Sequence, residues 1–197
     1  MTYLEVYEII KTRFSHCEKD LQRFHHQEEV VKMALLLNQK HQLGLDEEKI
    51  RFAGILHDYC KIYSDDEIIK RLAKYIGNET TALAPYRLVL HGFLAYYEVK
   101  EELGITDEEI LEAIKYHTTG APRMSKLAML IYVADAVEAT RTYPGASYYR
   151  EQVFQNFEHG FFAIVKGTIE SLQKRGLPIQ SLTLETYQYY KEYFHEI

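Results

Sequence analysis

The sequence predicts an all-α fold, and three observations carry that prediction. Apolar residues recur at three- and four-residue spacings nearly throughout, the period of one helix face. No stretch alternates apolar and polar residues convincingly enough to read as a half-buried strand. Capping residues and Gly or Pro breakers cut the chain into helix-length pieces.

Taken in order, Val30, Val31, Ala34, Leu35 and Leu37 mark a helix over about 21–43. Leu45-Asp-Glu-Glu48 then puts acidic residues at the start of a second, through Phe52, Ile55 and Leu56. Ser64-x-x-Glu67 is a capping-box pattern opening a third, which Gly77 and Asn78 stop, with Pro85 in the connection. A helix from about Leu88 to Leu103 ends at Gly104, and Thr106-Asp-Glu-Glu109 caps the next, which runs to His117. The segment Thr118-Thr-Gly-Ala-Pro122 breaks it. A strongly apolar helix over 124–137 follows, then a loop at Tyr143-Pro-Gly145 and one long helix over 148–174. Gly176-Leu-Pro178 separates that from a Tyr-rich terminal helix. The chain is expected to be a single domain over 1–197, with flanking helices over about 148–197.

Composition bounds the function. The chain has 197 residues, 47% hydrophobic and 26% charged, which suits a soluble globule and argues against global disorder. Its 29 acidic against 23 basic residues give a net charge of −6, so no nucleic-acid or membrane partner is expected, and a polyanionic ligand must meet a local cluster of cations. Cys17 and Cys60 form no framework, and the start of the sequence lacks a signal-peptide pattern. A cytoplasmic protein is the expectation.

Among nine histidines, context singles out a few. His57-Asp58 ends the apolar run Phe52-Ala-Gly-Ile-Leu56, and Asp135 interrupts the run Leu127–Val137. Titratable groups ending core-facing stretches are costly unless paired or ligating. A metal would satisfy Asp135; so would a helix cap or an Arg partner. His26, His57-Asp58, His91, His117 and Asp135 lie on or at the ends of successive helices, as ligands do when a bundle presents them to a shared interior site. Imidazole and carboxylate without thiolate suit iron, manganese, cobalt or zinc. Near these residues lie the cations Arg23, Lys61, Arg123 and Arg141, each equally readable as a solvated surface charge. Lys61 stands just ahead of the Ser64-capped helix N-terminus, where free N–H groups receive phosphate, although Asp65, Asp66 and Glu67 oppose an anion there.

The ordered set resembles the HD-domain metal-dependent phosphohydrolases over about residues 20–145. The words Arg23-x-x-His26, Ala53-Gly-Ile-Leu-His-Asp-Tyr-Cys-Lys61, Leu90-His-Gly92, Lys115-Tyr-His-Thr-Thr-Gly120, Tyr132-Val-Ala-Asp135 and Glu138-x-x-Arg141 are similar to the bacterial YqeK-type branch, the symmetrical bis(5′-nucleosyl)-tetraphosphatases. Cys60 departs from the small apolar residue expected there. The resemblance implies an HD-like helical bundle and hydrolysis of a dinucleoside tetraphosphate to two nucleoside diphosphates. It implies one or two metal ions, iron above all, held by His26, His57, Asp58 and Asp135. His91 and His117 either ligate a second ion or bind substrate phosphate. Asp58 or Asp135 would take the proton from the attacking water, and Arg23, Lys61, Ser64, Arg123 and Arg141 would contact substrate. Other nucleotides as substrate, or a low-turnover nucleotide-binding regulator, are the alternatives. A homodimer is allowed.

Overall fold

In a computed structural model, which describes residues 1–195, the chain is helical and has no strand among the described residues. Its α-helices are α1 (Tyr3–Arg13), α2 (Glu18–Lys40), α3 (Glu47–Leu56), α4 (Asp65–Ile76), α5 (Thr80–Leu83), α6 (Leu90–Leu103), α7 (Glu108–Tyr116), α8 (Lys126–Val137), α9 (Ala146–Gln155), α10 (Phe157–Lys174) and α11 (Ser181–His195). Residues 196–197 of the expected terminal helix lie outside the described residues.

The bundle is organised around α8. Every residue from Leu127 to Ala134 is buried, so this helix is apolar on all faces and can only be central. Helices α2, α3, α7, α9 and α10 all pack on it. Asp135 follows the buried run directly and therefore emerges at the edge of the core, one turn from the helix end at Val137. Asp107 caps α7 as the sequence indicates, and Asp46 and Ser125 likewise accept backbone N–H bonds at the starts of α3 and α8, the latter beginning at Lys126 rather than at 124. Ser64 caps α4 from Glu67 N–H at 3.3 Å. Glu67 completes no box, because its carboxylate takes Arg71 Nε at 2.7 Å instead.

One expectation needs correction. The long helix over 148–174 is two helices, broken at Asn156, which adopts extended backbone and caps α10 by accepting from His159 N–H at 2.9 Å. The side-chain amide competes locally with the helix, and α9 folds back so tightly that a Cβ on Gly160 would stand 2.5 Å from Val153 Cα. The segment before α2 is also helical: Thr2 and Glu5 form a full capping box for α1, whose Val6 and Ile10 are buried. The Pro85 connection is a 3-10 turn over Ala84–Val89 with a kink at Tyr86.

Candidate active site

Five helices deliver the histidines and carboxylates to one place. His26 comes from the middle of α2, His91 from the first turn of α6, and Asp135 from the last turn of α8. His57 and His117 cap the C-termini of α3 and α7. Asp58 follows in a tight turn closed by Lys61 N–H to Asp58 C=O at 2.9 Å. Three rings are oriented from behind. Nδ1 of His57 donates to Gly54 C=O at 2.7 Å, and Nδ1 of His117 to Ile114 C=O at 2.6 Å. Nδ1 of His26 donates to the Glu138 carboxylate at 3.1 Å. The His57 and His117 bonds leave Nε2 as a lone pair aimed inward, the tautomer a metal requires, while His26 Nε2 faces the Asp135 carboxylate.

The inward atoms form three overlapping groups: His26, His57 and Asp58; His57, His117 and Asp135; Asp58, His91 and His117, the atoms of each within 4.8 Å of one another. Asp58 belongs to two of them. Its Oδ1 lies 3.1 Å from His91 Nε2 and 3.5 Å from His117 Nε2. His26 Nε2 stands 3.0 Å from Asp135 Oδ1. His57 Nε2, fully buried, has no hydrogen-bond partner, an orphaned acceptor that a metal would satisfy.

Electrostatics favour the same reading. Burial pushes His57 down to about 4 and His91 down to about 3, the latter helped by the positive charge of Lys61, so both rings are neutral at pH 7. Burial alone would raise Asp58 and Asp135. The histidines around Asp58 and the Arg141 guanidinium beside Asp135 win, and both carboxyls fall well below the usual range. Neutral imidazoles and charged carboxylates are the protonation states of metal ligands. The donor set fits a metal.

The HD domain profile matches residues 23–140. The chain belongs to the HD domain family. It is 35% identical over 144 residues to the "Bis(5'-nucleosyl)-tetraphosphatase, symmetrical" of Halalkalibacterium halodurans, covering 73% of this chain and 76% of that one. The protein of the same name from Staphylococcus aureus is 32% identical over 171 residues, with 85% and 86% covered. The structure superposes on a crystal structure from Clostridium acetobutylicum, described as a predicted HD superfamily hydrolase involved in NAD metabolism, with a TM-score of 0.85, 27% identity and 98% of each chain covered.

His26, Asp58, His91, His117 and Asp135 line a cavity of about 330 Å³ together with Lys19, Gln22, Arg23, Lys61, Thr118 and Arg141, while His57 lies behind it, fully buried. Lys19, Gln22, Arg23 and His26 fall on one face of α2, so Lys19 and Gln22 were findable by counting back from His26 at helical spacing. Arg23 also donates to the backbone C=O of Lys61, tying α2 to the Asp58 turn. Arg141 reaches Asp135 through an ion pair and lies 3.2 Å from His26 Nε2, so Asp135 has the Arg partner that the sequence allows. Glu138, buried and bonded to His26, is the functional partner that residue-type counting missed.

Two expected substrate contacts stand elsewhere. Arg123 adopts a left-handed backbone (φ 56°) after the Thr-Thr-Gly turn and lines a separate surface groove with His41, Phe157 and Tyr193. Ser64 does not line the metal cavity, and its oxygen is used in the α4 cap. Cys60 is accommodated without touching the ligands: it is buried, and its thiol donates to Glu98 at 3.4 Å. Glu98, itself buried, binds Arg71 at 3.1 Å, while Arg13 donates to Tyr59 C=O at 3.2 Å, so a charged brace holds the His57–Lys61 turn from the far side.

Proposed function

We propose that this protein hydrolyses dinucleoside tetraphosphates symmetrically, releasing two nucleoside diphosphates by attack of water on an inner phosphorus. The observation that carries the reading is Asp58, shared between two His/Asp groups at the floor of a cavity fringed by Arg23, Lys61 and Arg141. Relatives named for this activity support it.

His26, His57, Asp58 and Asp135 would hold one ion; His91 and His117, with Asp58, would hold a second or bind phosphate directly. Iron is the proposed metal, with manganese, cobalt or zinc able to use the same ligands. When bound, the metal supplies Lewis acidity that polarises phosphoryl oxygens and lets water attack near neutral pH. Asp58 or Asp135 accepts the water's proton, being charged and already within the ligand cluster. Lys61 and Arg23 bind the phosphate chain and spread the charge that develops on the leaving diphosphate. Arg141, anchored on Asp135, presents its remaining N–H groups to the same charge.

In this reading the chain works as one domain in the cytoplasm, with the core of about residues 20–145 carrying the chemistry. Its partners are nucleotides rather than nucleic acid, and a homodimer is compatible with it. No helix among the described residues is long and apolar enough to cross a membrane. The test is metal analysis followed by chromatography of products from diadenosine tetraphosphate. ADP alone is expected; AMP with ATP would mean outer-phosphorus attack and would overturn the reading.

A further inference from the structure

Every residue lining the metal cavity is polar or charged, so none of its side chains is a wholly apolar partner for the nucleosides that the proposed substrate carries. A second cavity, of about 430 Å³, adjoins it: Thr118, next in chain to His117, lines both. This second space has the opposite character. The Pro85–Val89 turn forms one side, and Leu172, Leu177 and Pro178 at the junction of α10 and α11 form the other. Leu88 on its rim is 55% exposed, apolar surface that a bound ring would cover.

Asp65, Arg87 and Arg175 bring charge to its lining, and two uncharged polar groups bear on ligand binding. The buried hydroxyl oxygen of Thr118 has no hydrogen-bond partner and sits at the seam between the cavities. Gln180, only 8% exposed, accepts Leu182 N–H at 2.5 Å through its side-chain oxygen, which leaves the amide N–H groups as its free donors. A largely apolar cavity with an amide donor in its lining suits a heteroaromatic ring, and purines of either kind present N7 as an acceptor. The groove holding Arg123 shares no lining residue with the metal cavity and cannot serve a substrate that spans both.

We propose that this second cavity is the nucleobase subsite, with Leu172, Leu177 and Pro178 against the ring face and the Gln180 amide donating to its edge. The proposal rests on the nucleotide-hydrolase reading. Those four residues lie beyond 140, outside the part that matches the HD profile. The chemistry thus resides in the HD core, and base selection in the helices that flank it.

The test uses the manganese-loaded protein titrated with ADP and, separately, with inorganic pyrophosphate. Leu177→Trp fills the slot. Gln180→Ser keeps a capping oxygen ahead of α11 while withdrawing the amide, and it preserves the readout if the Trp variant does not fold. ADP affinity is expected to fall at least ~10-fold in each variant with pyrophosphate affinity unchanged. Wild-type ADP affinity in both variants, or equal loss of both ligands, would overturn the subsite. The two readings fail separately: slot-dependent ADP binding by a wild-type protein that releases no ADP from diadenosine tetraphosphate would sink the hydrolase reading and leave the subsite standing.

Discussion

The Glu138 carboxylate, fully buried, lies 3.1 Å from Nδ1 of His26. It also accepts the backbone N–H and hydroxyl of Thr140, at 2.5 and 2.7 Å. Burial alone would raise its pKa, but these bonds outweigh it and hold the group ionised. A buried anion so placed fixes the His26 tautomer and strengthens Nε2 as a ligand. Glu138→Gln keeps the shape and removes the charge. Metal affinity should fall ~10- to 100-fold in a metal titration, and unchanged affinity would show that Glu138 serves the fold alone.

The same contacts predict a proton count. Burial opposes the charged form of His26, yet its hydrogen bonds to the Asp135 and Glu138 carboxylates dominate and raise it to about 9. A group raised from 6.5 to about 9 adds stability that is fully present below 6.5 and is lost as pH rises through 9. Metal-free His26 is therefore protonated at pH 7 and must lose that proton before Nε2 can ligate. Calorimetry in buffers of different ionisation enthalpy should find about one proton released per ion at pH 7, and almost none near pH 10. A heat independent of buffer at pH 7 would refute the assignment.

How much of this was legible beforehand depends on the range of the interaction. Asp46, Asp107 and Ser125 cap their helices through bonds two or three residues away, so local sequence suffices to find them. His57-Asp58 and Asp135 were legible because each ends or interrupts an apolar run. Glu138 pairs with a residue 112 positions away, and no local pattern records that. Asn156 looked like an ordinary helix residue, because the break depends on α9 folding onto α10 at Gly160. Arg123 seemed close to the site by chain distance, and a left-handed backbone turned it into another groove.

Acid should weaken the metal-free protein through His57. Its pKa is depressed to about 4 by burial, so between 6.5 and 4 the unfolded chain takes a proton that the folded one refuses. The stability is present above 6.5 and lost as pH falls through about 4, a change of a few kcal/mol at about 1.4 kcal/mol per pKa unit. Asp58 and Asp135, lowered below the usual carboxylate range, extend the loss to lower pH. Urea titrations in chelator at pH 7 and pH 4.5 should differ accordingly. His91, held down to about 3, adds to the same loss, so equal midpoints would mean that both rings take up protons in the folded state.

Lys61 separates charge from coordination. Its ammonium cannot ligate a metal, yet it lines the metal cavity and its charge helps depress His91. Lys61→Met retains the stem and deletes the charge. Metal stoichiometry should be unchanged, while kcat/KM for diadenosine tetraphosphate falls at least ~10-fold, or ~1.4 kcal/mol of transition-state stabilisation. The pKa of His91 should rise as well, which an NMR titration of the metal-free variant would detect. Wild-type kcat/KM would reduce Lys61 to a solvated charge.

Gly92 tests whether the approach of α6 to α7 sets the second half of the site. A Cβ there would stand 2.9 Å from the backbone carbonyl of Lys115 and 3.2 Å from Cε1 and Nδ1 of His117. A backbone carbonyl cannot rotate away as a side-chain tip can, so the two helices must part or the His117 ring must move. Helix propensity favours Ala over Gly by roughly 1 kcal/mol, and overpacking costs roughly 1–3 kcal/mol, so Gly92→Ala should fold with a modest net loss. The effect on function should be larger, because His91 and His117, with Nε2 atoms 2.9 Å apart, straddle the point that gives way. Activity should drop at least ~10-fold. Gly104→Ala is the control: its Cβ meets nothing within 4 Å, but φ is +66°, so it should cost stability through backbone strain and leave activity intact. If Gly92→Ala retains full activity at the same metal loading, the spacing of α6 and α7 does not govern the His91–His117 pair.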